Sequence, residues 1–417
     1  MEQLALHGGE PAISVKQPHS VWPPAASPAE LAEIAAQRTK DIYIHGSVGP
    51  IRELEDAFLE FLGGDVPYAI TYNSGTSALF AAYFALGVQD GAEVLGPALT
   101  FHAALSPVYA LKGTVVLVDV AADTRCIDPD DIERWLTPAT RVLTVVHQWG
   151  HPCDMDRIMD IARRNGLAVV EDCSHAHGSR YKGRLCGTFG DVAVFSLHAN
   201  KTVFAGDGGI LVTSRQDVHD RATLLGHYRD RSQDRVIDPG HRRHWLTGYG
   251  LKLRMSPFNA IVAKHSLAAF DTRAKERRTC QEYFRQELAG AQCLEPLHVA
   301  SYADMGAWYG FKPLYRPEKL GGLSKSDLID VLRAEGMHVN ALPPGTLLAT
   351  LPLYHEPSTG MFADHQTRAN DPAAYPVARD IEARALSLPI FSNWENDRKT
   401  IDQYVTAFHK LDRAFAG

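Results

Sequence analysis

The chain contains no window of eighteen consecutive apolar residues, so no segment reads as a membrane-spanning helix. It also lacks any CxxC pair. Its six cysteines, Cys126, Cys153, Cys173, Cys186, Cys280 and Cys293, stand far apart in sequence. That argues against a zinc ribbon or a disulfide framework and fits a reduced cytoplasm. No GxGxxG follows the first candidate strand, which argues against a nicotinamide-binding Rossmann site. Basic residues are outnumbered, 42 Lys and Arg against 49 Asp and Glu, giving a net charge of −7. The one basic cluster, HRRH at 241–244, is too short to make a nucleic-acid face and reads as a solvated loop. The amino terminus, MEQLALHGGEPAISV, has no basic start followed by an apolar core, so no signal peptide is expected. The expectation is a cytoplasmic protein that binds neither nucleic acid nor membrane.

What remains is ordinary globular material: 417 residues, 45% apolar and 22% charged, enough for a large domain carrying a smaller one. Between residues 66 and 214, short apolar runs alternate with longer amphipathic ones. Candidate strands are YAITYN (68–73), AEVLGP (92–97), TVVLVDV (114–120), RVLTVVHQ (141–148), LAVVED (167–172), VAVFSL (192–197) and GILVTS (209–214). Helix-like stretches lie between several of them, at 76–87, 102–113 and 154–166. The last opens on a capping Asp and closes on a Gly. Near-continuous Val/Ile/Leu strands separated by helices describe an α/β fold with a mostly parallel seven-stranded sheet covered on both faces. Ligands gather at the carboxyl ends of such strands. Residues 258–290 read as one long helix or two, followed by strand material near 306–315 and helices at 324–336 and 400–415. The expected division is an N-terminal arm over 1–25 and a large domain over 26–257. A connecting helix with a smaller C-terminal α+β domain then covers 258–417.

Three strand ends carry polar residues suited to chemistry. In TYNSGTSAL (71–79) a strand gives way at once to a helix, and small residues leave its first amides open to an anion such as phosphate. A plain helix cap is the bland alternative. In VVEDCSHAHG (169–178) an acidic pair closes a buried strand, which is costly without a cation to meet it. A structural salt bridge or a histidine metal pair are the other readings, and no further ligand spacing supports the metal. In FSLHANKTVFAGDGG (195–209) a lone lysine, Lys201, follows a buried strand, and a flexible glycine-dense loop follows it. Such a lysine can attack a carbonyl to form a Schiff base. A phosphate cradle, an acid and a lysine at successive strand ends together suit pyridoxal 5'-phosphate (PLP).

The order SGTSAL, PALTF, VEDCSHAHG, FSLHANK and GDGG resembles the DegT/DnrJ/EryC1/StrS family of sugar and cyclitol aminotransferases. The resemblance runs from GPIRELEDAF (49–58) through LKLRMSPFNA (251–260) to YPVARDIEARALSLP (375–389). It implies the fold-type I aminotransferase architecture. Position by position, it makes Lys201 the catalytic lysine that carries the cofactor aldehyde, and Asp172 the acid facing the pyridine nitrogen. Gly75, Thr76 and Ser196 become the phosphate set, and Phe101 the aromatic over the ring. The glycines of 206–209 would let backbone pass close to the cofactor.

Two positions depart from the family pattern. His175 stands where most relatives have Gln near the phenolic oxygen, as in the aminohydroxybenzoate synthase branch. Lys252, in GLKLRM, stands where an Asn reaches the phosphate of the neighbouring subunit. The resemblance thus implies a homodimer with an active site shared across its interface. The histidine that many relatives carry in the late proline-rich loop has no counterpart in PPGTLLATLPLY (343–354). His147, Trp149 and Tyr249 are candidate substrate contacts, with Tyr43, His45 and Trp308 as further aromatic or polar linings, each equally readable as core or interface packing. His147 and Trp149 lead because VHQWGHP resembles the family's VHLYGQP. The implied reaction transfers an amino group from glutamate or glutamine to a keto-sugar or keto-cyclitol, in amino sugar, aminocyclitol or antibiotic biosynthesis. A PLP-dependent dehydratase or aromatising synthase is the alternative. Lys201 argues against the dehydratases, which carry histidine there. A binding protein or regulator would leave the cofactor residues unexplained.

Overall fold

The computed structural model describes residues 3–16, 18–40, 42, 48–356 and 368–415. Tyr43 and His45 lie outside the described residues. The central sheet has seven strands: β1 (Tyr68–Tyr72), β2 (Glu93–Pro97), β3 (Thr114–Val118), β4 (Thr140–Val146), β5 (Ala168–Asp172), β6 (Val192–Ser196) and β7 (Gly209–Thr213). All seven expected strands form, each within two residues of its expected ends. The spatial order is β1-β7-β6-β5-β4-β2-β3. Only β7 runs antiparallel to its neighbours, β1 and β6.

Continuous apolar strands imply burial on both faces, and the side chains divide accordingly. Val192 and Val194 join one core cluster, with Ala78, Ala81 and Ala82 of α2 (Gly75–Ala85) and Val218 and Ala222 of α4 (Gln216–Gly226). Ala193 and Phe195 face the other way. There they meet Ile51, Leu54 and Phe58 of α1 (Gly49–Phe61) and Ala260 and Ala263 of α5 (Pro257–Ala268). Each fully buried Val, Ile, Leu or Phe among them contributes roughly 1.5–3 kcal/mol. α3 (Met155–Asn165) forms as its end signals predict: Asp154 accepts from the Arg157 amide, and Gly166 closes the helix at φ +63°.

The stretch 102–113 is not one helix. It holds a 3-10 turn over His102–Ala104 and a single helical turn over Pro107–Ala110. Pro107 has no N–H to continue a ladder, so a helix restarts there. Residues 258–290 are two helices, α5 and α6 (Phe270–Glu287), separated at Ala269. The strand expected near 306–315 shrinks to Leu314–Tyr315.

A second core gathers Phe284, Phe311, Leu328, Leu332, Tyr404 and Phe408, drawn from α6, α7 (Lys325–Ala334), α8 (Trp394–Phe415) and the chain between them. The amino-terminal residues are tied onto it. Leu4 lies in this core, and the buried Glu335 carboxylate accepts the amides of Ala5 (2.8 Å) and Ala12 (3.0 Å). Lys410 of α8 pairs with the same carboxylate at 2.9 Å and donates to the Glu10 carbonyl at 2.7 Å. No helix among the described residues is long and apolar enough to cross a membrane.

Candidate active site

The carboxyl ends of β1, β5 and β6 lie close together, and the expected cofactor residues sit on or just beyond them. At the end of β1 the cap of α2 is Ser74, whose hydroxyl accepts the Ser77 amide at 3.0 Å. The amides of Gly75 and Thr76 open the helix, where no intrahelical acceptor exists. Ser196, the last residue of β6, lies directly against Gly75. A Cβ on Gly75 would fall 2.9 Å from the Ser196 Cβ and 3.2 Å from its hydroxyl oxygen. A glycine is therefore required there, and it leaves open amides beside a hydroxyl. That cradle fits a phosphate.

Gly209 is constrained in a different way. It pairs with both Tyr72 and Ser196, and a Cβ on it would fall 2.4 Å from the Ser74 carbonyl oxygen. Gly208 would meet the Met255 side chain at 2.6 Å. The glycines after Lys201 thus make room for the protein's own backbone and core at the cradle.

Asp172 ends β5, almost fully buried. Its Oδ1 accepts the Ser174 amide at 3.0 Å, and the Ser174 hydroxyl in turn accepts the Ser196 amide at 3.2 Å. Burial pushes the Asp172 carboxyl up from its ordinary range; Ser174 and the charges of Lys201 and His147 pull the other way. A buried acid of this kind is suited to a cationic N–H such as a pyridinium.

Lys201 lies in the turn after β6, its amide bonded to the His198 carbonyl. Its Nζ donates to the Tyr309 hydroxyl at 3.2 Å. The Tyr309 ring stacks on His175, with centroids 4.0 Å apart and planes within 12°. His175 Nδ1 accepts the Trp149 amide at 3.4 Å, so in the neutral ring the proton resides on Nε2. Burial first, then the charges of Lys201 and Lys312, holds His175 well below the usual histidine range. It is a neutral donor, the role a glutamine would play.

The other candidates divide. Trp149 belongs beside the site through the His175 contact and its carbonyl, which accepts the Gly310 amide at 3.1 Å. Phe101 stands at the end of the loop after β2 and is 62% exposed. Lys252 is exposed, next to Leu253, whose carbonyl accepts the Asn73 amide at the start of the cradle. His147 is not on the pocket surface. It is fully buried, with Nε2 3.2 Å from Glu171 and Nδ1 accepting the Cys153 amide at 3.0 Å. Tyr249 packs on Phe84, at the opposite end of α2 from the cradle, so this chain does not bring it to Lys201. Trp308 is 1% exposed and belongs to the second core.

His147, Glu171 and Cys173 place ligand-type atoms within 4.8 Å of one another. Glu171 already accepts the amides of Gly187, Phe189 and Gly190 at 2.7–2.8 Å as well as His147, so hydrogen bonds account for the grouping. Two side chains beside the site are not among the residues singled out from the sequence. Tyr309 lies next to the candidate Trp308, whose left-handed φ of 48° turns the chain. Lys312 follows three residues later; the only signal for it was a lysine inside an apolar run.

These observations find their counterpart in known proteins. Residues 26–407 match the model of the DegT/DnrJ/EryC1/StrS aminotransferase family, and the chain belongs to that family. It is a PLP-dependent aminotransferase. GDP-perosamine synthase of Escherichia coli O157:H7 is 30% identical, covering 84% of this chain and 86% of its own. The L-glutamine:2-deoxy-scyllo-inosose aminotransferase of Streptoalloteichus tenebrarius is also 30% identical, over 92% of each chain. Among solved structures, DesV of S. venezuelae superposes with a TM-score of 0.73 at 28% identity, covering 91% of this chain and 94% of that one. 3-Amino-5-hydroxybenzoic acid synthase reaches 0.79 at 24% identity, covering 93% and 98%, a likeness of fold alone.

Proposed function

We propose that this enzyme moves an amino group from glutamate or glutamine to the carbonyl of a sugar or cyclitol, within the biosynthesis of an amino sugar, aminocyclitol or related natural product. The observation that carries the reading is the convergence of Lys201, Asp172, His175 and the Gly75–Ser196 cradle at adjoining strand ends. The relatives named GDP-perosamine synthase and L-glutamine:2-deoxy-scyllo-inosose aminotransferase support the substrate class.

Gly75, Thr76 and Ser196 would hold the cofactor phosphate, Asp172 its ring nitrogen and His175 its phenolic oxygen. Bound PLP supplies an aldehyde that exchanges amine partners and a ring that withdraws electrons from the carbon losing its proton. Lys201 Nζ takes that proton from the donor's α-carbon and later returns one to the new amine-bearing carbon of the acceptor. The Tyr309 hydroxyl, 3.2 Å away, orients the lysine amine. The Asp172 carboxylate holds a proton at the ring nitrogen. Neutral His175 donates from Nε2 without adding a second cation.

The homodimer belongs to this reading. Leu246, Tyr249 and Leu251 are 55%, 41% and 39% exposed on the segment that carries Lys252. An apolar strip beside an exposed lysine supports a partner subunit there, with Lys252 reaching the partner's phosphate. The test is an absorbance spectrum of the PLP-loaded protein before and after glutamate or glutamine, with Lys201→Ala as control. Bleaching of the lysine-bound band by a donor, absent in the variant, supports the reading. A band that ignores every donor moves the reading to the dehydrating or aromatising chemistry that His175 shares.

A further inference from the structure

The late proline-rich loop, ALPPGTLLATLPLY (341–354), carries no charged residue. It nevertheless bridges two parts of the site rim. At its start, Asn340 and Ala341 pair with Ser387 and Leu386; further along, Leu347 bridges Leu99 and the Thr346 carbonyl accepts the Thr100 amide at 2.9 Å, one residue before Phe101. A substrate under this loop meets no charge from it. The nearby cation comes from elsewhere. Lys312 lies three residues beyond Tyr309, where Phe311 bridges Leu388, and its Nζ donates to the Ser387 hydroxyl. It is partly buried, and among the described residues no carboxylate comes within ion-pair distance of it. Burial alone draws its pKa down to about 8, with no acid to restore it. Tyr309, three residues before Lys312, meets the Lys201 amine at 3.2 Å and stacks on His175, so the segment that carries Lys312 also lines the site. A half-enclosed ammonium without a counter-ion on that segment is a place for an anion that arrives with a substrate.

We propose that Lys312 and Ser387 form the subsite for the α-carboxylate of the amino donor, the anion that glutamate and glutamine share. Lys312 supplies charge, and the Ser387 hydroxyl, released from the lysine or shared with it, supplies a second donor. The assignment rests on the donor being an amino acid. It explains how a site whose recognition loop is uncharged selects one.

The test uses the PLP-loaded protein and two probes, glutarate, which lacks an amine, and inorganic phosphate, each measured by titration calorimetry. Wild type is expected to bind glutarate, Lys312→Met to bind it at least tenfold more weakly, and Lys312→Arg to stay within threefold. Lys312→Gln, which retains a hydrogen bond to Ser387, must show the same loss as the Met variant if the latter does not fold. Donor titrations of the cofactor band should show the same rise in apparent Kd for glutamate and glutamine. Unchanged glutarate binding in Lys312→Met or Lys312→Gln overturns the proposal. So does loss of phosphate binding with glutarate retained, which would assign the anion to a phosphorylated acceptor. Wild type that binds glutarate through Lys312 yet ignores both donors would overturn the amino-acid donor and leave the anion subsite standing.

Discussion

Replacing Tyr309 by Phe removes one hydroxyl and leaves the ring stacked on His175. The hydrogen bond it loses is worth about 0.5–1.5 kcal/mol. The expected outcome is a fall in kcat of roughly two- to tenfold by the same arithmetic, with donor KM nearly unchanged, read from steady-state kinetics. An unaltered kcat would remove Tyr309 from the orientation of Lys201. His175 gives a complementary expectation. With its pKa held low by burial and two lysines, it is uncharged across the neutral range. His175→Gln should keep the position of the cofactor absorption band, and the wild-type band should not shift as pH moves through 6.5. A band that follows a histidine titration would contradict the neutral role. These residues also show why the site was only partly legible. Lys201, Asp172 and Ser196 follow apolar runs whose ends can be read locally. Tyr309 meets Lys201 across 108 positions of sequence, a contact that only tertiary folding supplies. Its neighbour Trp308, one of the possible linings read from the sequence, packs in the second core instead, and the left-handed φ at Trp308 turns the chain between them.

At the scale of elements, β5 ends in two acids with separate tasks. Asp172 faces the site, while Glu171 is buried behind it with His147. Burial works against the Glu171 charge, but His147 and the amides of Gly190 and Gly187 hold its pKa below the ordinary 4.5. His147 takes part as a neutral ring: its Nδ1 accepts the Cys153 amide, so its proton sits on Nε2 and faces Glu171. Stabilisation from Glu171 is complete above 4.5 and fades as pH falls through its lower native value. Glu171→Gln should cost about 1–3 kcal/mol near pH 6, because an amide nitrogen cannot accept from the buried donors that the carboxylate meets. It should also flatten the acid limb of urea stability against pH. An unchanged acid limb would show that the pair does not set it. Gly209→Ala tests the meeting of β7 with α2. The added Cβ would lie 2.4 Å from the Ser74 carbonyl, and overpacking of this kind costs about 1–3 kcal/mol. Because the displaced atoms precede the cradle amides, PLP affinity should fall together with the melting temperature. A variant that loses stability but binds PLP normally would separate the strand contact from the cradle.

For the whole molecule, the decisive question is whether one site needs two chains. In the proposed homodimer, mixing Lys201→Ala with Lys252→Glu protein, each inactive or impaired alone, would create hybrid dimers. If Lys252 serves the partner's site, one site per hybrid is intact and activity returns on mixing. If each chain is complete, mixing restores nothing. The parallel sheet was legible because seven apolar runs of strand length alternate with helices, a pattern with few competing solutions. The second core was less so. Its short strands, two residues each at Leu294–Glu295 and Leu314–Tyr315, follow from packing against helices and leave little periodicity to read.

The Glu335 carboxylate, which gathers Ala5, Ala12 and Lys410, has a consequence for synthesis. The segment around Ala5 is held by a helix that is synthesised about 400 residues later. At about 5–20 residues per second, that separation keeps the earlier segment waiting for roughly 20–80 s. During that interval Leu4 and its neighbours have no core to join, while the seven-stranded sheet, complete by residue 213, is free to assemble. The nascent enzyme would own its cofactor cradle well before it owns Tyr309 and Lys312.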